Sequence, residues 1–316
     1  MMLALRRSSV FKVLWTILLL ASASPAQVTY RVRTNLVNVT FSVRDSHGGV
    51  VDKVRSEDLE VFDDGVPQKI SFFSRGADVP LTLGLIVDFS DSQQNFYKQH
   101  RHDLEVFLKD ALGPKDRAFL VCFGNHLRLA SDFSNSGQDL LDRLREFDAG
   151  ERNFPEIGPP EERILGTAFY DSIYHSVTEK LAKEGGRRAL LIFSDGEDNS
   201  SAYDMMSAIE AAQAENVVIF CIRYTQRTRG GHLTARNQYG MRVMDRVAKE
   251  TGGAHFDAKA FKPEVYFKMI AEELRSSYEL AYYPSPPLKD GTFHKILIRP
   301  KQEDLIVRTK TGYFSR

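Results

Sequence analysis

Apolar and polar positions follow three different rhythms along the chain. Over residues 28–76 they alternate. Val37, Val39, Phe41 and Val43 interleave with Asn38, Thr40 and Ser42, the period-two pattern of a strand with one buried face. Residues 59–62 and 69–73 read as two further strands, and Asp63-Asp64-Gly65 between them reads as a hairpin turn. At residue 81 the rhythm changes. Residues 81–87 (LTLGLIV) are almost wholly apolar, which predicts a strand buried on both faces of a sheet. The runs 117–123, 189–193 and 217–222 repeat that pattern, with shorter extended pieces expected at 127–129 and 254–256. Between these runs, helical spacing predicts helices over 93–112, 136–147, 202–215, 239–251 and 262–276. In the first of them Phe96, Leu104, Phe107, Leu108 and Leu112 fall near one stripe. From residue 278 the β pattern returns, with strands expected at 278–283, 293–298 and 305–308.

Strands alternating with helices predict a doubly wound, mostly parallel α/β sheet over residues 79–275. The flanking pieces, 28–76 and 277–316, hold about three strands each, too few to bury an apolar face alone. The expectation is therefore one small all-β sandwich built from both pieces, with the α/β domain inserted between its halves. Two stretches break the alternation and read as loops. One is 148–162, with Pro155, Pro159 and Pro160; the other is 225–237, with Arg227, Arg229, Gly230 and Gly231.

The first residues follow a separate grammar. Arg6, Arg7 and Lys12 precede the short apolar run 13–23, and Ser24-Pro25-Ala26 then supplies small residues. This predicts a secretory signal over residues 1–26 and a periplasmic or extracellular destination. A stable membrane anchor is not expected, because a crossing helix needs about 20 apolar residues and the run has about half that. Removal of residues 1–26 takes three bases and no acids, leaving 39 bases against 42 acids and a net charge of −3. Without a basic excess, nucleic acid is not an expected partner. The basic loop 225–237 then reads as solvated surface.

The first buried strand runs straight into Asp88-Phe89-Ser90-Asp91-Ser92. In open α/β sheets, ligands bind beyond the carboxyl ends of the strands. A carboxylate and two hydroxyls there are hard oxygen donors, suited to Mg²⁺ with several retained waters. An Asp-x-Ser-x-Ser string alone is weak, since about one chain in ten of this length should hold it by chance. Its position adds more, and so do Asp195, which follows a later buried strand, and Thr167, in the turn before the preceding helix. With these residues in place, the sequence resembles the von Willebrand factor A (vWA) family over about residues 79–275. That family's metal-ion-dependent adhesion site combines an Asp-x-Ser-x-Ser loop with a Thr and an Asp on two further loops. The resemblance implies that Asp88, Ser90, Ser92, Thr167 and Asp195 hold one divalent cation, Mg²⁺ first, with Mn²⁺ or Ca²⁺ as options. It also implies an open coordination position that takes an exposed Asp or Glu of a protein partner. The flanks are similar to a narrower group of exported bacterial vWA-related proteins, through Asp45 to Gly48, Asp58 to Gly65 and Gly312-Tyr313-Phe314.

A binding protein rather than an enzyme is the expected class. The chain has no His-Glu-x-x-His, no Gly-x-Ser-x-Gly and no phosphate-binding glycine loop. An accessory subunit of an exported enzyme complex is the alternative, and a metal-dependent hydrolase using Asp88 and Asp195 is the third reading. The eight histidines are scattered, and none is assigned a role. Asp91 is expected to point away from the site. For Asp171, Glu197 and Asp198, solvated positions compete with supporting roles. If the sheet follows the family's strand order 3-2-1-4-5-6, Cys122 and Cys221 sit about 14 Å apart, beyond the roughly 7 Å that a disulfide spans. Alkylation of the unfolded, unreduced protein should therefore label two free thiols per chain; an intramolecular bridge by mass would overturn both the pairing and the strand order.

Overall fold

The computed structural model describes residues 36–76, 79–159, 166–228, 230–287 and 291–315, the Asp110 side chain excepted. The expected signal at 1–26 lies outside these residues. In chain order the strands are β1 (Val37–Asp45), β2 (Leu59–Asp63), β3 (Val66–Gln68), β4 (Ile70–Arg75), β5 (Leu81–Asp88), β6 (Arg117–Phe123), β7 (Leu127–Ser134), β8 (Arg187–Ser194), β9 (Val217–Arg223), β10 (His255–Asp257), β11 (Tyr278–Tyr282), β12 (Phe293–Pro300), β13 (Leu305–Thr309) and β14 (Gly312–Phe314). The helices are α1 (Tyr97–Ala111), α2 (Gly137–Asp148), α3 (Phe169–His175), α4 (Met205–Ala214), α5 (Ala235–Glu250) and α6 (Pro263–Arg275). Among the described residues, no helix is long and apolar enough to cross a membrane.

The central sheet has the order β10-β9-β8-β5-β6-β7. Counted from β5, this is the order expected from the family resemblance. Every pair is parallel except β6–β7. All eight residues of β5 are buried, because apolar layers cover both faces. Leu83, Leu85 and Val87 face a cluster with Leu104, Phe107, Leu140 and Ile270, from α1, α2 and α6. Ile86 faces the opposite cluster with Ile173, Ile209 and Val247, from α3, α4 and α5. Each such aliphatic or aromatic side chain removed from water stabilises the fold by about 1.5–3 kcal/mol. Cys122 and Cys221 are both free and buried, and they belong to opposite faces of the sheet. Burial pushes both thiols well above their ordinary range.

Two antiparallel four-stranded sheets flank this core, in the orders β13-β1-β11-β4 and β14-β12-β2-β3. Each mixes strands from both ends of the chain. They share one apolar cluster that includes Val39, Phe41 and Leu280 from the first sheet with Leu59, Val61 and Ile298 from the second. The Rossmann-like sheet is thus inserted between two halves of a β-sandwich. One expectation needs correction. The strands expected at 59–62 and 69–73 do not pair as a hairpin. Instead β2 pairs with the short β3 around Asp64 (φ 47°) and Gly65 (φ 82°), the left-handed pair that a two-residue hairpin requires. The chain then crosses at Lys69 into the other sheet, where β4 pairs with β11. The crossing places Phe73 against Phe41 and Tyr278, at ring centroid distances of 6.2 and 5.7 Å. The edge strand expected at 127–129 extends to Ser134 through a bulged pairing with β6, and β14 was not expected.

A buried charge cluster ties the sandwich to the α/β core. Glu273 of α6 accepts Ser42 Oγ (2.8 Å) and Arg44 Nη2 (2.7 Å) from β1, and Arg308 Nη1 (2.8 Å) from β13. Removing Glu273 leaves the buried Arg44 charged and without its carboxylate, at a cost of about 3–5 kcal/mol. Glu273→Ala should lower unfolding stability by that order in urea titration, with a smaller loss for Glu273→Gln.

His100 offers a second test. It is fully buried, edge-on to Tyr224 at 4.3 Å and close to Phe96 and Phe193. Neither ring nitrogen has a hydrogen-bond partner among the described residues, and burial pushes its pKa down to about 3. The unfolded chain takes the proton near pH 6.5, the folded chain only near 3. The stability held above pH 6.5 is therefore lost as pH falls toward 3, by about 1.4 kcal/mol per unit. His100→Phe should raise the Tm progressively as pH falls from 6.5 toward 3 and flatten this acid limb in scanning calorimetry.

Candidate metal centre

The burial of β5 brings its last residue, Asp88, to the carboxyl edge of the sheet with a side chain that is itself wholly buried. Chain order sends β6 to one side of β5, while β8 lies on the other. Asp88 therefore stands at the switch point of the sheet, where a crevice opens. Phe89 N donates to Phe123 O (2.6 Å) and Ser90 N donates to Asp88 Oδ1 (2.8 Å). This tight turn leads into a 3₁₀ segment, Asp91–Phe96, ahead of α1. It puts Ser90 Oγ and Ser92 Oγ 3.2 Å apart. Ser92 Oγ reaches across the crevice and donates to Asp195 Oδ2 at 2.6 Å.

Asp195 follows β8 directly. Glu197 N donates to its Oδ1 (3.1 Å), fixing the Asp195-Gly196 turn. Gly196 has φ +77°, and Gly240 of α5 packs so closely that a Cβ there would lie 2.2 Å from Asp195 O. Glycine at both positions lets the helix press on the turn that carries the carboxylate. Thr167 is buried on the segment before α3. Its backbone N donates to Asn199 Oδ1 (2.6 Å), and its carbonyl accepts Asn199 N and Ser200 N. Ala168 N donates to Gly124 O (3.0 Å), next to the Phe89 turn, so the third loop borders the same crevice.

Among the described residues, neither Asp88 nor Asp195 has a basic side chain within ion-pair range. Burial first, and the charge of Asp195 second, push the Asp88 carboxyl up to about 7. Two buried carboxylates without a cation of their own, beside two hydroxyl oxygens, are a donor set that fits a hard divalent ion. Ser92 is exposed, which opens the crevice to solvent.

The geometry also sorts the neighbours. Asp91 is exposed. Asp171 is not solvated: it is fully buried and accepts Tyr203 N and Ala202 N (2.9 and 3.0 Å), holding the loop before α4. Glu197 is buried and pairs with Arg236 at 2.5 Å. Asp198 accepts Tyr170 N and Ser201 Oγ. Three supporting residues escaped the sequence reading. Ser194 Oγ donates to Asp88 Oδ2 (2.5 Å), and Gln93 Nε2 bridges Asp195 Oδ2 and Tyr224 O (2.8 and 3.2 Å). Asn199 is the third. Ser194 and Gln93 each adjoin a motif residue, which was the available signal. A second group lies in the sandwich, where Asp63, Asp64 and His294 each offer a ligand atom within 4.8 Å of the others.

The sequence matches no protein-family model and no curated protein. Among solved structures, similarity is distant. An aerotolerance-related membrane protein from Bacteroides fragilis aligns at 15% identity and TM-score 0.46, over 61% of this chain and 98% of that one. BatB from Bacteroides thetaiotaomicron aligns at 15% and 0.45, with the same coverage. Proximal thread matrix protein 1 of the mussel byssus, described with a zinc-occupied MIDAS motif, aligns at 16% and 0.46, over 66% of this chain and 49% of its own. These likenesses are too distant to transfer a role.

The apposed carboxylates make a direct prediction. In metal-free buffer at neutral pH, Asp88→Asn should raise the Tm by relieving a buried like-charge pair, and the same change should remove stabilisation by added Mg²⁺. Thermal unfolding with and without 5–10 mM Mg²⁺ (roughly 100 Kd for a site of ordinary strength, about 2.7 kcal/mol) reads both effects.

Proposed function

We propose that the chain is an exported vWA-type binding protein whose Asp88, Ser90, Ser92, Thr167 and Asp195 hold one divalent cation, preferably Mg²⁺. The site would capture an exposed Asp or Glu of a protein partner. The observation that carries this reading is the pair of buried carboxylates, Asp88 and Asp195, left without a basic partner among the described residues, with Ser92 Oγ on Asp195 at 2.6 Å and 3.2 Å from Ser90 Oγ. Bound there, a cation supplies a Lewis-acid docking point for an incoming carboxylate.

The chain's own residues prepare that point. Ser90 N and Ser194 Oγ hold the two oxygens of Asp88, while Ser92, Gln93 and Glu197 N hold those of Asp195. Both carboxylates are thus oriented before a partner arrives, which lowers the ordering cost of binding. Their two formal charges only balance a divalent ion, an arrangement suited to reversible capture rather than metal storage. All four carboxylate oxygens already accept a hydrogen bond from the chain. This supports holding over general-base catalysis, which needs an acceptor directed at substrate. Export rests on the Arg6–Arg7–Lys12 start, the apolar run 13–23 and Ser24-Pro25-Ala26.

Calorimetry and affinity capture test the reading together. One Mg²⁺ per chain is expected, with affinity falling at least about 100-fold in Asp88→Ala. Capture of envelope proteins should require Mg²⁺, stop with EDTA, and stop when partner carboxylates are amidated. Capture that survives both EDTA and Asp88→Ala would sink the adhesion-site reading.

A further inference from the structure

We propose that Asp63, Asp64 and His294 form a second divalent-metal site, of zinc type, in the β-sandwich. It is separate in chain position, sheet and donor chemistry from the Asp88 centre. Asp63 ends β2 and Asp64 opens the hairpin turn that follows. His294 lies on β12, which pairs with β2 in the register Ile296↔Asp63. The backbone locks the three together: Asp64 N donates to Lys295 O (2.9 Å) and Lys295 N donates to Asp64 Oδ1 (2.8 Å).

The donor set is mixed and partly dry. Asp63 and His294 are 2% and 3% exposed, while the Asp64 side chain is half exposed. Ligand atoms of the three lie within 4.8 Å of one another. Donors around a tetrahedral zinc sit about 3.4 Å apart at bond lengths of about 2.0–2.2 Å, so a modest side-chain closure brings them into range. His294 Nδ1 already stands 2.8 Å from Asp64 Oδ2, and its Nε2 stands 3.3 Å from Thr292 Oγ1. A second contact on the imidazole of this kind orients ligating histidines.

Asp63 gives the independent sign. Tyr282 OH and Tyr313 OH both donate to its Oδ2, at 2.9 and 2.8 Å. Its Oδ1 is buried and has no hydrogen-bond partner among the described residues. Two tyrosines thus grip one oxygen of a buried carboxylate and leave the other unsatisfied, which is costly unless a ligand completes it. Two carboxylates neutralise a divalent charge, and the imidazole selects zinc-like ions over Mg²⁺, which takes oxygen donors. Three protein ligands would leave a fourth position for water or another donor. The ion would staple the β2–β3 hairpin to β12.

Zinc titration of the full chain carrying Asp88→Ala tests the site with the first centre disabled. One Zn²⁺ per chain is expected in competition with a chromogenic chelator, with a rise in Tm. His294→Gln added to that background should weaken binding at least about 100-fold, and Tyr313→Phe about 10-fold. The same change at the exposed His232 should leave affinity intact. If Asp88→Ala does not fold, the wild-type chain saturated with Mg²⁺ takes its place. X-ray absorption of the zinc-loaded protein should show a nitrogen/oxygen shell with one imidazole. Affinity unchanged by His294→Gln, no bound zinc, or a shell lacking imidazole would overturn the site. None of these outcomes bears on Mg²⁺ at Asp88.

Discussion

Burial of β5 on both faces is the constraint on which the rest of the structure depends. A strand with apolar layers above and below can place polar groups only at its ends. Asp88 is the first polar residue after the apolar run 83–87, and it emerges where β6 departs on one side and β8 lies on the other. The same covering that stabilises the sheet strips water from Asp88 and raises its proton affinity. The candidate metal centre is therefore a consequence of the core: a carboxylate is forced into a dry crevice beside a second carboxylate, Asp195, and both are tied in place by hydroxyl and amide donors.

The sandwich follows a related logic with a different result. Neither terminal segment can cover an apolar face by itself, so β1 pairs with β11 and β13, and β2 pairs with β12. The shared core then needs an attachment to the α/β sheet, supplied by Glu273 between Arg44 and Arg308. Lys310 supplies another. Its Nζ is buried and donates to Gln213 O and Asn216 Oδ1 beside α4, and burial lowers its pKa to about 7. Polar contacts of this kind are worth less than apolar burial in net energy, but they fix one relative placement, because misplacing a buried charge is costly.

Most of the architecture was legible in the sequence because its signals are local. Apolar runs of strand length, helical spacing and turn residues set the element order. The strand order of the sheet came from family resemblance. The errors arose where a local signal had two readings. Asp63-Asp64-Gly65 is a true hairpin turn, yet the strand after it is three residues long, and the chain leaves for the other sheet at Lys69. No periodicity marks that crossing, since what decides it is the packing of Phe73 on Phe41 and Tyr278.

The sequence by itself placed Asp88, Ser90 and Ser92 in the loop after one buried strand and Asp195 after another; Thr167 joined them as a candidate ligand through the family resemblance. The places of Asp88 and Asp195 follow from chain order and from the rule that loops gather at one edge of a parallel sheet. Only the tertiary structure decided the supporting contacts. Ser194 and Gln93 hold the two carboxylates, Asp171 is spent on a neighbouring loop, and His294, unassigned among eight scattered histidines, meets Asp63 and Asp64 across more than 200 residues of chain. Antiparallel register brings such residues together, and register depends on the packing of whole faces, which no short stretch of sequence contains.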